Sequence, residues 1–184
     1  CSIKCSEVEF FGHVYSIDGI KPDPKKVRDL KSMPAPTNKA ELQQFLGFAT
    51  YLARFIPHFS DRTTTLREML KKDAIFMWEA HHAKQFQDIK DQLSEQSLLH
   101  YYDPSKPATL HCDASIKGLG AALLQPDAEG NLKPVAYASK SLTPTEQRYA
   151  CIERELLAIV FGAQRFHIYL YGRKCTVVTD HKPL

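Results

Sequence analysis

The chain lacks any apolar run approaching the roughly 18 residues of a membrane span, and no signal-peptide pattern is visible at its start. A spanning helix within this stretch is thereby excluded. It has little net charge: 24 Lys and Arg against 21 Asp and Glu leave +3, so any contact with nucleic acid must rest on local basic faces. Its five cysteines are scattered and odd in number, which argues against a disulfide scaffold and for a reduced, intracellular setting. Cys1 and Cys5 have no partner Cys or His at zinc-finger spacing. There is no internal repeat, no low-complexity tract and no adjacent Asp-Asp pair. A single tryptophan, Trp78, is expected to anchor a core rather than stack on a base. What is present suffices for a globular fold, since 43% of residues are hydrophobic and 24% charged. At 184 residues the chain has room for one domain or two small ones.

The stretch on which the rest turns is Thr109-Leu110-His111-Cys112-Asp113-Ala114-Ser115. Leu110, Cys112 and Ala114 alternate with His111, Asp113 and Ser115, the period of a half-buried strand, and Asp113 falls on the polar side. Gly118 and Gly120 then suit a tight turn, and residues 121–125 read as the returning strand.

A second acid comes from a helix. Thr143-Pro144-Thr145-Glu146 predicts a capped start, and Tyr149, Ile152, Leu156, Ile159, Val160, Ala163 and Phe166 mark one apolar face, closed at Tyr171-Gly172. Glu153 and Glu155 lie about 200° apart on that helix, so only one of them can address a given site. Periodicity does not choose between them. A third acid, Asp180, ends the β-branched run Cys175-Thr176-Val177-Val178-Thr179. A strand hairpin, a further strand over 134–139, a crossover helix and a parallel return strand would set Asp113 and Asp180 on neighbouring strands. Three carboxylates make an all-oxygen site, which suits Mg²⁺ or Mn²⁺.

Five linked motifs carry a family resemblance: Leu-His-Cys-Asp-Ala-Ser, Gly-Leu-Gly-Ala-Ala-Leu-Leu-Gln, Ala-Tyr-Ala-Ser-Lys-Ser-Leu, Glu-Arg-Glu-Leu-Leu-Ala-Ile-Val and Val-Thr-Asp-His-Lys-Pro-Leu. In order and spacing they resemble the ribonuclease H domain of gypsy-type LTR-retrotransposon reverse transcriptases. The resemblance implies that Glu155 is the helix acid, and that Asp113 and Asp180 match the first and third acids of the family's four. The fourth, an Asp far downstream, is expected beyond Leu184.

The same resemblance orders the upstream chain. Residues 1–20 read as a hairpin with a turn at Asp18-Gly19, and Phe11-Gly12-His13 resembles the primer grip at the end of the palm. Residues 21–72 read as thumb-like helices. The first spans about 24–33, with Lys25, Lys26, Arg28 and Lys31. The second, capped by Asn38 and Glu41, is predicted to run to about Phe55. On it Gln43, Gly47 and Tyr51 form a line with Arg54 alongside, like the family's thumb helix that follows the template–primer minor groove. A short amphipathic helix is expected around Leu66, Met69 and Leu70. Residues 73–107 read as a connection segment and linker, with a short strand at 74–78, a helix through Ala83, Phe86, Ile89 and Leu93, and a turn-rich stretch at 101–107. His81-His82 are read as solvated, because adjacent side chains on a helix diverge by about 100°. Residues 108–184 read as the ribonuclease H-like domain, truncated at its C-terminus.

The expected fold class is therefore mixed α/β: a helical thumb-like segment followed by a truncated ribonuclease H-like fold, with a three-stranded antiparallel hairpin sheet, a crossover helix and a parallel fourth strand. The resemblance implies a fragment of a Pol polyprotein without the polymerase Tyr-x-Asp-Asp motif. It implies two-metal hydrolysis of the RNA strand of RNA–DNA hybrids, with Asp113, Glu155 and Asp180 holding two Mg²⁺ or Mn²⁺ ions in the complete site. Ser115 is a candidate contact to the RNA 2′-hydroxyls. The expected partners are an RNA–DNA hybrid, a template–primer duplex and the rest of the polyprotein, in the cytoplasm within virus-like particles or in the nucleus. The alternative is a non-catalytic nucleic-acid-binding or structural module, truncated or host-domesticated.

Overall fold

In a computed structural model, residues 5–93 and 97–180 are described. The strands are β1 (Glu7–Phe10), β2 (His13–Ser16), β3 (Gly19–Pro22), β4 (Ala108–Ala114), β5 (Gly118–Pro126), β6 (Leu132–Ser141) and β7 (Cys175–Val178). The helices are α1 (Pro24–Ser32), α2 (Lys39–Tyr51), α3 (Phe59–Arg62), α4 (Thr64–Glu68), α5 (Ala80–Gln92), α6 (Cys151–Arg165) and α7 (His167–Leu170). The chain forms two units, Cys1–Ile56 with Thr65–Tyr101, and Pro57–Thr64 with Tyr102–Leu184.

In the first unit, β1, β2 and β3 make an antiparallel meander rather than the single hairpin expected over 1–20, of which residues 1–4 lie outside the described residues. The β1–β2 turn puts both of its central residues at positive φ, Phe11 at 46° and Gly12 at 66°. That geometry matches the right-handed twist of the flanking strands. Glycine adopts it freely and phenylalanine does not, so Phe11 must be held there. The second turn is Ile17-Asp18, one residue earlier than predicted, because Gly19 already pairs with Ser16.

Local chemistry sets the helices. Asp23 accepts the Lys25 amide at 2.8 Å in front of Pro24, where a missing N–H does no harm. Asn38 accepts the Glu41 amide at 3.0 Å and starts α2, which ends at Tyr51 and gives way to a 3₁₀ turn (Ala53–Phe55), short of the expected helical end. Val27, Leu30, Leu42, Phe45, Leu46, Ala49, Phe86 and Ile89 are buried, with the Phe45 and Phe86 rings 4.4 Å apart.

Two expectations for this unit fail. Residues 74–78 form no strand: Ala74, Phe76 and Trp78 alternate with exposed Ile75 and Met77, but Trp78 spends that alternation on α5, stacking 5.9 Å from His82 and edge-on 5.8 Å from Phe86. His82 is not solvated. It is 8% exposed, and its Nδ1 accepts the Glu79 backbone N–H at 3.2 Å, sealing the start of α5.

The second unit holds a four-stranded sheet in the order β6-β5-β4-β7, antiparallel except for β4 beside β7, which run parallel from Ala108↔Cys175 to His111↔Val178. The expected mixed α/β arrangement is present. Helix α6 crosses the sheet over a core of Leu110, Cys112, Leu119, Ala121, Leu123 and Ala158. Gly162 allows the close approach: a Cβ there would lie 3.1 Å from both the Ala121 Cβ and the Cys112 Sγ. The helix starts at Cys151, later than Thr143-Pro144 suggested. Glu146 does cap a turn, accepting the Thr143 amide at 2.7 Å, but the turn is a 3₁₀ step (Glu146–Arg148). It breaks where Tyr149 turns extended at φ −62°, ψ 148°. The helix also stops early, at Arg165, and α7 carries the chain to Gly172 at φ 70°.

Candidate active site

The β4 alternation buries Cys112 and turns Asp113 to the polar face, its side chain half exposed. The parallel return strand β7 delivers Asp180 two residues beyond its end, exposed. Between them α6 lowers Glu155, 3% exposed, onto the sheet. One carboxylate oxygen from each of the three lies within 4.8 Å of the others. Glu153, the alternative on the same helix, faces away and is in use: it accepts the Ala150 amide at 2.8 Å.

Burial, and then the charges of Asp180 and Asp113, raise the Glu155 pKa above its ordinary value. The Thr179 hydroxyl, donating at 3.3 Å, and the Ala114 backbone amide oppose that shift. A buried carboxylate beside two others is a repulsive arrangement that a cation would relieve. The donors are all hard oxygens, so they fit Mg²⁺ or Mn²⁺.

A cavity of about 410 Å³ opens beside these acids, lined by Asp113, Asp180, His111 and Tyr137 and by Pro57 and His58. Sequence reasoning missed His58, whose Nδ1 stands 3.7 Å from the Asp113 Oδ2. It sits at φ 53° ahead of α3, opposite Gly120, where any side chain would run into its imidazole. The segment carrying it is fastened to the sheet: the Ser60 amide and hydroxyl both lie 3.0 Å from the Ser139 hydroxyl, and Ser115 donates to Asp61 at 2.8 Å. Ser115 is thus engaged within the protein, its oxygen also accepting the Gly118 amide at 2.8 Å. No spacing in the sequence signals contacts between residues 54 to 79 positions apart.

In the first unit most of the other candidate residues are exposed, but His13 is buried at 8% exposure. Gln43, Gly47 and Tyr51 are exposed along α2, with open space above Gly47, and Arg54 lies exposed with its guanidinium 5.6 Å over the Phe55 ring. The Tyr51 hydroxyl donates to the Phe11 carbonyl and its ring stacks 5.4 Å from His13, which joins the β1–β2 turn to the helix. Burial first, then the Arg54 charge, hold His13 below the ordinary imidazole pKa. Phe10 and Phe11 project beside it, 57% and 78% exposed.

Residues 78–177 match the family described as the RNase H-like domain found in reverse transcriptase. The chain belongs to that family. It is 38% identical over its whole length to the retrovirus-related Pol polyprotein from transposon 412 of Drosophila melanogaster, and 36% identical over 96% of its length to that from transposon gypsy. The Tf2-3 polyprotein of Schizosaccharomyces pombe is 32% identical over the whole chain. The chain spans 15%, 18% and 14% of those three polyproteins. Its fold resembles part of the foamy viral protease–reverse transcriptase. The structure with double-stranded DNA superposes at a TM-score of 0.78 and 22% identity, over 95% of this chain and 31% of that one. The structure with an RNA/DNA hybrid gives 0.77 and 22%, over 96% of this chain and 24% of that one. The chain is thus a reverse-transcriptase segment bearing an RNase H-like domain of the retrotransposon kind.

Proposed function

We propose that this chain is the thumb, connection and nuclease portion of a retrotransposon reverse transcriptase, and that its second unit hydrolyses the RNA strand of RNA–DNA hybrids. The observation that carries the reading is the convergence of Asp113, Glu155 and Asp180, from strand, helix and strand, within 4.8 Å. In this reading the three side chains hold two Mg²⁺ or Mn²⁺ ions, with a fourth carboxylate supplied beyond Leu184. Ions held there would supply activation of the attacking water and stabilisation of the leaving 3′ oxygen. The protein's own part is to fix the acids: Thr179 and the Ala114 amide orient Glu155, and His58 stands against Asp113.

The face made by Phe11, Gly12, Gln43, Gly47, Tyr51 and Arg54, with the buried His13 ring stacked behind Tyr51, would follow the template–primer duplex. Exposed aromatics, a helix position open to close approach and a guanidinium support that assignment. A relative of this fold carries an RNA/DNA hybrid in its structure, which accords with the substrate. Such a protein would act in the cytoplasm or nucleus as part of a longer polyprotein.

The test is Mg²⁺-dependent cleavage of a labelled RNA–DNA hybrid by three proteins: this chain, the chain extended past Leu184 as in its relatives, and the extended chain carrying Asp113→Asn. Cleavage by the extended protein, abolished by the substitution, is the expected result. Hybrid binding without cutting would replace the nuclease with a binding module, and cutting unaffected by Asp113→Asn would overturn the three acids as the site.

A further inference from the structure

The first unit contains a second cluster of metal-ligating side chains, of a different chemistry from the acids. Glu79, His81 and His82 each present one ligand atom, and these lie within 4.8 Å of one another. Adjacent residues on a helix point about 100° apart, so a His-His pair at a helix start ordinarily splays. Here the two rings approach to 3.7 Å between centroids.

The cause is local. His82 folds back so that its Nδ1 accepts the Glu79 N–H at 3.2 Å, and Trp78 stacks on the ring at 5.9 Å and 28°, fixing its plane. His81 leans the same way because its Nδ1 meets the Glu79 Oε2 at 3.2 Å. The result is one imidazole immobilised by burial, with a second imidazole and a carboxylate beside it. The latter two side chains are 55% and 54% exposed, so the group is open to an ion from solvent. Packing orders the His82 ring alone, and its Nδ1 lone pair serves the Glu79 N–H, so an ion would take that nitrogen in exchange for the hydrogen bond.

Two imidazoles and one carboxylate are the donor set of borderline transition ions, not of Mg²⁺. We propose that Glu79, His81 and His82 bind a divalent ion of the Zn²⁺ and Ni²⁺ class, with the remaining coordination position left to water. The ion would fasten the unpaired stretch before α5 to the first turn of that helix, and so favour the folded first unit.

Trp78 makes the test direct, being the only tryptophan and lying 5.9 Å from the His82 ring. Ni²⁺ is titrated into the untagged chain under excess Mg²⁺, which saturates the acidic site, with Cys5→Ser and Cys151→Ser removing the thiols exposed among the described residues and Cys1→Ser removing a third. The expected result is saturable quenching of Trp78 with a midpoint of about 10 μM, reversed by Zn²⁺. His81→Ala and Glu79→Gln, both at exposed positions, should each raise the midpoint about tenfold or more, as loss of a ligand does. Asp113→Asn should leave it unmoved. Quenching that needs about millimolar Ni²⁺, or that His81→Ala leaves unchanged, overturns the site.

Discussion

Glu155→Gln should stabilise the metal-free chain and abolish its response to Mg²⁺. At the outer limit of 4.8 Å and an effective dielectric constant of about 20, a carboxylate pair repels by about 3.5 kcal/mol before solvent screening. The Asp113 side chain is 50% exposed and Asp180 is exposed, so solvent screening reduces this to about 1 kcal/mol per pair. The amide keeps an acceptor oxygen but loses part of the charge-assisted bonding from Thr179 and Ala114, about 1 kcal/mol. The net is a gain of about 1 kcal/mol, or about 2–4 °C in Tm for a chain of this size. The sign with pH follows from the raised pKa of Glu155. Stability linked to this carboxyl is full below its unfolded pKa and declines as pH rises through the folded value, so the advantage of Gln grows toward neutral pH and vanishes in acid. With Mg²⁺ tenfold above its dissociation constant the order reverses, because the wild-type chain gains about 1.4 kcal/mol and the variant does not. Thermal unfolding of both proteins at pH 7.5, with and without Mg²⁺, reads both effects. A variant less stable than wild type without metal, or equally stabilised by Mg²⁺, would refute the carboxylate cluster as the ion's seat.

Lys90→Met should cost about 1–3 kcal/mol by urea denaturation, since the Lys90 ammonium, 7% exposed, donates to the carbonyls of Lys31 at 3.0 Å and of Met33 at the end of α1; a loss under about 0.5 kcal/mol would make that contact incidental. Cys112, its thiol pushed up to about 12 by burial and then by Glu155 and Cys175, should resist maleimide at pH 8 under conditions that label Cys5 and Cys151; peptide mass spectrometry decides, and equal labelling would mean the sheet opens readily. Glu146 is held at about 2 by the Lys140 ammonium and the Thr143 amide, so the stability it contributes is present above its ordinary 4.5 and lost as pH falls toward about 2. Lys140→Met should move the Glu146 carboxyl titration, followed by NMR, back toward 4.5, and an unmoved titration would assign the shift elsewhere.

Which acids could meet was legible because one short-range quantity decides it, the face a side chain occupies on its own element. Leu110 and Cys112 go inward and Asp113 does not, and a β-branched run after a helix is enough to predict the parallel partner of β4. The choice between Glu153 and Glu155 was not legible from periodicity, although the family resemblance made it, and the reason is the helix boundary. Two capping signals lie seven residues apart, Thr143 with Glu146 and Ala150 with Glu153, and both form. Hydrogen-bond preference alone favours the first, which carries the better residue types and a proline. It fails because Tyr149 leaves helical geometry, so the bonds of Glu146 close a single turn and those of Glu153 start the helix. Once Glu153 is engaged at the amino end, Glu155 is left on the sheet-facing side, and a one-turn difference in where α6 begins settles which carboxylate is free. His58 and Asp61 mark the other limit. Both reach the four-stranded sheet from a segment whose neighbours in sequence belong to the first unit, and no periodicity of 2 or 3.6 residues encodes such a crossing. Long-range packing also drew the Ser115 hydroxyl into an internal network of Asp61, Lys117 and Gly118, where residue type alone had offered it to a ligand.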